Sequence, residues 1–147
     1  MYKKILVAVE NSDADRTILE HIGPLARLTD ARLLLVHVAD GWAARHFEEL
    51  NLRESEEIRE DRAYLARTTA GMRAQGLEAE WMLRMGDPAK EICRVAEEEG
   101  VDLIAMATHG HRGVSDVIHG QTVDHVRHKV RVPVLLLRQK PTGSGGA

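Results

Sequence analysis

The chain has 147 residues, 44% hydrophobic, 29% charged and 3% aromatic, and a net charge of -3. That is the size of a single domain built on one aliphatic core, and the acidic balance excludes the basic footprint of a nucleic-acid binder. Cys93 is the only cysteine, which excludes an intrachain disulfide and a CxxC redox pair, and the longest apolar runs are far too short to span a membrane.

The chain opens Met-Tyr-Lys-Lys and enters a strand pattern at once, without a signal peptide, so a soluble cytoplasmic protein is expected. Ile5–Val9 is the first strand-length apolar run. Asn11, Ser12 and Asp13 then offer helix-capping side chains, and Ile18, Ile22 and Leu25 follow at helical spacing. Pro24 lacks an N–H and crowds the preceding turn, which predicts a kink or break at Gly23-Pro24. Leu33–Val38 is a second strand. Asp40 to Glu54, with Trp42 and Phe47, reads as a longer connection that carries a short helix or a flap. From Ser55 to Arg73 the chain is rich in Glu, Arg and Ala, with Ile58, Leu65 and Met72 on one helical face.

Ala79–Leu83 is a third, weaker strand. Asp87-Pro88 is an N-cap and first-turn pair, Ala89, Ile92 and Ala96 share a face, and Gly100 closes that helix. Leu103–Ala107 and Val132–Leu137 are the last two strands, separated by a helix after Gly120 that carries Val123, Val126 and Val130. Four of the five strands are apolar on nearly consecutive residues, which predicts a parallel sheet covered on both faces. Alternation of strand and helix gives the fold class: α/β, one open five-stranded parallel sheet with helices on both faces, Rossmann-like. Pro141–Ala147 reads as a flexible tail.

The segment from Ala107 to Thr122 carries the most chemistry. It leaves the C-terminal end of the fourth strand, where open α/β sheets bind ligands. Gly110 and Gly113 let the backbone turn sharply and approach a ligand. Gly120 precedes a helix start whose N–H groups and dipole favour an anion, and His111 and Arg112 add positive charge. These parts suit a di- or triphosphate, although the same glycines also serve turns and close packing. The segment is neither a P-loop nor a GxGxxG fingerprint.

Ile5-Leu-Val-Ala-Val-Glu-Asn-Ser12, Leu35-Val-His-Val38, Gly86-Asp-Pro-Ala-Lys-Glu-Ile92, Val101–Gly110 and Val132-Pro-Val-Leu-Leu-Leu137, in this order, resemble the universal stress proteins. The likeness runs from Lys3 to Lys140, so residues 1–140 are read as one universal stress protein domain, of the adenine-nucleotide alpha-hydrolase-like fold. The resemblance implies ATP as ligand, with Mg as a companion ion, and a homodimer through the last strand at Val134, Leu135, Leu136 and Leu137. An apolar edge at those residues is a reason in itself to pair.

Nucleotide-binding members of the family carry Gly-x2-Gly-x9-Gly-Ser/Thr. Here Ala107 stands at the first glycine, Gly110 and Gly120 match the others, and Gln121 stands at the hydroxyl position, with Thr122 next to it. Where the family often has Asp-Gly-Ser, this chain has Glu10-Asn11-Ser12. The resemblance puts the base and ribose near Ala8, Glu10 and Val38, and the phosphates on Gly110, Gly113, Gly120, Gln121 and Thr122.

Other readings were weighed on the residues. His109 and His111, and His125 and His128, fall short of the ligand sets that zinc sites use, so no metal site is expected. No nucleophile elbow surrounds Ser12, Ser115 or Thr122. The expectation is therefore a binding protein rather than an enzyme, at most a slow ATPase with Glu10 as the first candidate base. Asp13 is read as support for the helix start, Cys93 as a partly buried helix residue, and Arg127, Lys129, Arg131, Arg138 and Lys140 as a solvated edge. The alternative is a dimeric interaction protein of the same family that binds no nucleotide, a reading that Gln121 and Glu10 favour.

Overall fold

A computed structural model describes residues 1–40, 51–108 and 120–139. The Trp42 and Phe47 connection, the loop with Gly110 and Gly113, and the C-terminal tail lie outside the described residues. The elements run β1 (Lys4–Ala8), α1 (Ala14–Thr29), β2 (Arg32–Asp40), α2 (Asn51–Ala74), β3 (Ala79–Gly86), α3 (Pro88–Glu99), β4 (Leu103–Thr108), α4 (Gly120–Lys129) and β5 (Val134–Arg138). The five strands form one parallel sheet in the order β3-β2-β1-β4-β5.

The apolar runs become doubly covered strands because successive side chains face opposite sides of the sheet. Ile5, Val7, Leu33, Leu35, Leu103 and Ala105 pack with Ile18 and Ile22 of α1 and Leu65 and Met72 of α2. Leu6, Leu34, Val36, Ile104 and Met106 pack with Ile92 and Val95 of α3 and Val123 and Val126 of α4. The chain moves to one side of β1 with α1 and α2, then to the other with α3 and α4. A constant crossover hand demands this division of helices between the two faces.

Local signals explain most boundaries. Asp87 accepts from the Lys90 N–H at 2.9 Å with Pro88 at the first helical position, and Gly100 ends α3 in the left-handed region at φ 63°. Two expectations are corrected. The break at Gly23-Pro24 does not occur, and α1 is one helix of 16 residues. Pro24 is exposed on the solvent side, while Ile18, Ile22 and Ala26 hold the helix to the sheet. Asp13 makes no side-chain cap. Ser12 Oγ instead accepts from the Ala14 N–H at 3.2 Å.

Strand β3 runs on from Leu83 to Gly86, paired with β2 as far as Asp40. As an edge strand it is half-buried, which is why its sequence signal is weak. The other edge, β5, is apolar yet only half-buried, and Leu136 is 37% exposed. Arg127, Lys129, Arg131 and Arg138 are exposed, as a solvated edge requires. Among the described residues no helix is long and apolar enough to cross a membrane.

Candidate functional site

Strand β1 is the switch point of the sheet, with β2 on one side and β4 on the other. Open α/β sheets bind ligands beyond the carboxyl ends of the strands at such a point. The strand ends are staggered there. Ala8 of β1 pairs with Val36, and Val7 pairs with Ala105, but β2 continues to Asp40 and β4 to Thr108. The result is a notch over the end of β1, walled by two longer strands.

Each expected site residue can be placed against this notch. The side chains of Ala8 and Val38 (2% exposed each) are in the core on the α3/α4 face, and that of Ala107 (3%) is in the core on the α1/α2 face. Only their backbone is available to a ligand. For Val38 this follows from the ladder. The Val9 N–H donates to the Val36 carbonyl at 2.9 Å, so the polar groups of Val36 point towards β1. Two residues on, those of Val38 point the same way, but β1 has already ended.

Glu10 sits over the notch, half-buried, and its Oε1 accepts from Ser12 Oγ at 2.8 Å. Gly120 opens α4, and a methyl group added there meets nothing within 4 Å among the described residues. Gln121 is exposed and Thr122 is buried, so their side chains lie on different faces of α4. An α-helix supplies no acceptors of its own for its first-turn N–H groups. Gly110 and Gly113 fall outside the described residues. The fold therefore brings Glu10, the Val38 backbone and the end of β4 to one crevice.

A second set of polar residues lies directly behind this crevice and was not singled out from the sequence. Asp15 is 3% exposed. Its carboxylate accepts the N–H groups of Glu10 at 3.0 Å, Asn11 at 2.8 Å and Ser12 at 3.4 Å, and the Tyr64 hydroxyl. His37 is 5% exposed, with Nδ1 2.9 Å from the Val9 carbonyl and Nε2 3.2 Å from Asp61 Oδ2. The other Asp61 oxygen accepts from Asn11 Nδ2 at 3.3 Å. Asn11 adopts φ 62°, in the left-handed region that Asn tolerates better than most residues. That conformation suits the position where the resemblance expects glycine.

Burial pushes the Asp15 carboxyl up, against the Tyr64 hydroxyl and the N–H groups of Glu10, Asn11 and Ser12, which favour its anion. Burial alone would lower the His37 imidazole. The bonds to Asp61 and the Val9 carbonyl, with the charges of Asp61 and Asp15, outweigh it and hold the ring above its ordinary value. Burial and the Asp15 charge push the Tyr64 phenol well up, so it stays a donor. Two of these residues leave a trace in the sequence. Asp15 shares the apolar stripe of Ile18 and Ile22, and His37 interrupts an otherwise apolar strand.

Cys93 is half-buried on α3, and burial raises its thiol. His128 is exposed, with Nδ1 2.7 Å from the Asp124 carbonyl, while His125 is half-buried.

A sequence model of the universal stress protein family matches residues 1–138. A universal stress protein of Thermus aquaticus is 33% identical over 142 residues, covering 94% of this chain and all of that one. Universal stress protein MJ0577 of Methanocaldococcus jannaschii is 26% identical, covering 95% and 97% of the two chains. Its solved structure superposes with a TM-score of 0.80 at 27% identity, covering 97% of this chain and 99% of that one. The universal stress protein of Archaeoglobus fulgidus, solved in complex with dAMP, superposes with a TM-score of 0.69 at 25% identity, over 92% and 97% of the two chains.

Proposed function

This chain belongs to the universal stress protein family, and from that membership we propose that it is a homodimeric, cytoplasmic stress-response regulator that binds ATP and acts by binding rather than turnover. The observation that carries the nucleotide reading is the start of α4 at Gly120, where an added methyl group meets none of the described residues, together with the strand stagger at the switch point of the sheet. Nucleotide binding by a relative of near-equal length, the dAMP complex, supports it.

In this reading the phosphates rest on Gly110, Gly113, Gly120, Gln121 and Thr122, where N–H groups and the helix dipole favour an anion. Ala107 lies one residue before the end of the strand that leads into that loop. The adenine meets the backbone of Ala8 and Val38, whose side chains are already committed to the core. Glu10 faces the ribose, and Mg accompanies the phosphates. The dimer forms through β5, whose apolar residues Val134 to Leu137 are only partly covered within one chain.

One experiment tests the nucleotide reading. The purified protein is denatured and its supernatant chromatographed, and the stripped protein is titrated with Mg·ATP in a calorimeter. Co-purified adenine nucleotide, or saturable binding of about one nucleotide per chain, is the expected result. No nucleotide and no heat at millimolar ATP would replace this reading with that of a dimeric interaction protein, to which Gln121 at the hydroxyl position already points.

A further inference from the structure

The crevice loop, Val9 to Ser12, is fastened from behind by groups on three different elements. Asp15 of α1 gathers its N–H groups. Asp61 of α2 holds the Asn11 side chain. His37 of β2 holds the Val9 carbonyl and at the same time Asp61. A carbonyl oxygen can only accept, and both Asp61 oxygens are engaged with N–H groups. The His37 ring therefore satisfies both neighbours only when both of its nitrogens carry protons. A neutral imidazole has one N–H and must release either the carbonyl or the carboxylate.

We propose that His37 is a positioning residue for the ligand loop: as an imidazolium it ties Val9 to Asp61, and its loss of a proton breaks one of those two bonds and loosens the loop that carries Glu10. The consequence for ligand affinity rests on the nucleotide reading above; the anchor itself does not.

The surroundings support a charged ring. Facing His37 among the described residues are the carboxylates of Asp61 from α2 and Asp15 from α1, with the Tyr64 hydroxyl bound to Asp15. Arg67 lies over the Tyr64 ring at 6.0 Å to the centroid. From β3 the paired residue is Leu83, which carries no charge. A neutral His37 would leave two carboxylates behind the loop without the cation between them, at a site where burial weakens solvent screening.

The direction of the pH effect follows. The folded-state pKa of His37 lies above its ordinary 6.5. The anchor is therefore complete below about pH 6.5 and is lost as pH rises through the raised value. Nucleotide affinity falls over the same interval, by about three- to tenfold, less than the full worth of one hydrogen bond to a charged group because the ring does not itself touch the ligand.

The test follows the His37 ring nitrogens and the Glu10 and Asn11 amides by NMR from pH 5 to 10, on the full chain, with Mg·ATP affinity measured at the same pH values. Wild type is expected to keep both ring N–H groups below pH 6.5 and to titrate above that value. The two amides should follow the ring, and affinity should fall at the same midpoint. Asp61→Asn keeps an acceptor without the charge, and should move all three midpoints down by about one pH unit or more. A wild-type ring that titrates at or below 6.5, or amides indifferent to its titration, overturns the anchor. So does ATP affinity that stays flat while the ring titrates. If ring and amides titrate together but no ATP binds, the anchor stands and the nucleotide reading fails.

Discussion

Replacing Gly120 with valine separates the fold from the ligand site. A Cβ at this position meets nothing within 4 Å among the described residues, and Gly120 is not in the left-handed region where a side chain would be strained. It is also the first residue of α4, where helix propensity counts least. Valine is a slightly better helix former than glycine, so folding stability should change by less than about 0.5 kcal/mol. Binding is a different matter. A phosphate must come within about 3 Å of the helix-start N–H groups to bond them, and three added carbons stand in that path. Two charge-assisted hydrogen bonds at about 1.5–3 kcal/mol each make a loss of about 3–6 kcal/mol. That is roughly a hundredfold to ten-thousandfold in Kd. Calorimetric titration with Mg·ATP gives the affinity, and urea unfolding gives the stability. Wild-type affinity in a folded Gly120→Val protein would remove the helix start from the phosphate site. A stability loss above about 1 kcal/mol would show that the space at Gly120 is filled by the chain itself.

Gln121 is exposed, so Gln121→Ser should leave folding unchanged and tighten Mg·ATP by about three- to tenfold through the restored hydroxyl; weaker binding in the calorimeter would mean that the amide of Gln121 already serves the phosphates. Leu136→Glu puts a charge on the half-covered apolar edge of β5, and sedimentation velocity should show at least a tenfold weaker dimer, since an unpaired charge is costly to bury. An unchanged dimer mass would take the last strand out of the interface. Asp15→Ala leaves the N–H groups of Glu10, Asn11 and Ser12 and the Tyr64 hydroxyl without their acceptor. Urea unfolding should register a loss of about 2–4 kcal/mol, and a loss below about 1 kcal/mol would show that water replaces the carboxylate.

Most of the fold was legible because its strands and helices bury aliphatic residues at different periods. Leu33–Val38 is apolar on consecutive residues since β2 is covered on both faces, and Ile18 and Ile22 are one helical turn apart since only one side of α1 meets the sheet. Legibility faded where coverage did. Strand β3 lies at an edge, and its half-buried residues include Arg84, which reaches Glu98 at 3.1 Å; a charge on a partly solvated strand hides where the strand ends. Pro24 misled because its local cost to the helix is outweighed here by the burial of Ile18, Ile22 and Ala26, which holds α1 to the sheet on both sides of it. The site was half readable. The glycines and the helix start stand out as residue types, and so do Asp15 and His37 as polar residues in apolar stripes. Asp61 could not stand out. Its neighbours Glu57, Arg59, Glu60 and Arg62 are charged as well, and only the register of α2 against β2 selects it as the partner of His37.

The same register decides how a bound nucleotide could influence the dimer. The crevice and the β5 edge are separate surfaces, but α4 begins at the first with Gly120 and leads directly to the second. Val123 and Val126 hold α4 against the core, and Val126 is fully buried, so the helix has little freedom to slide. A ligand at Gly120 can therefore reach β5 through α4 as a body, or not at all by that route. The shift available to it equals its difference in affinity between the two placements of the helix. His37 acts on the opposite face of the sheet, where α1, which starts from the loop that His37 holds, also packs against β5. If the chain binds nucleotide and pairs through β5, as proposed, proton loss at His37 has its own route to that edge through α1, and dimer strength measured by sedimentation should shift over the same pH interval as nucleotide affinity.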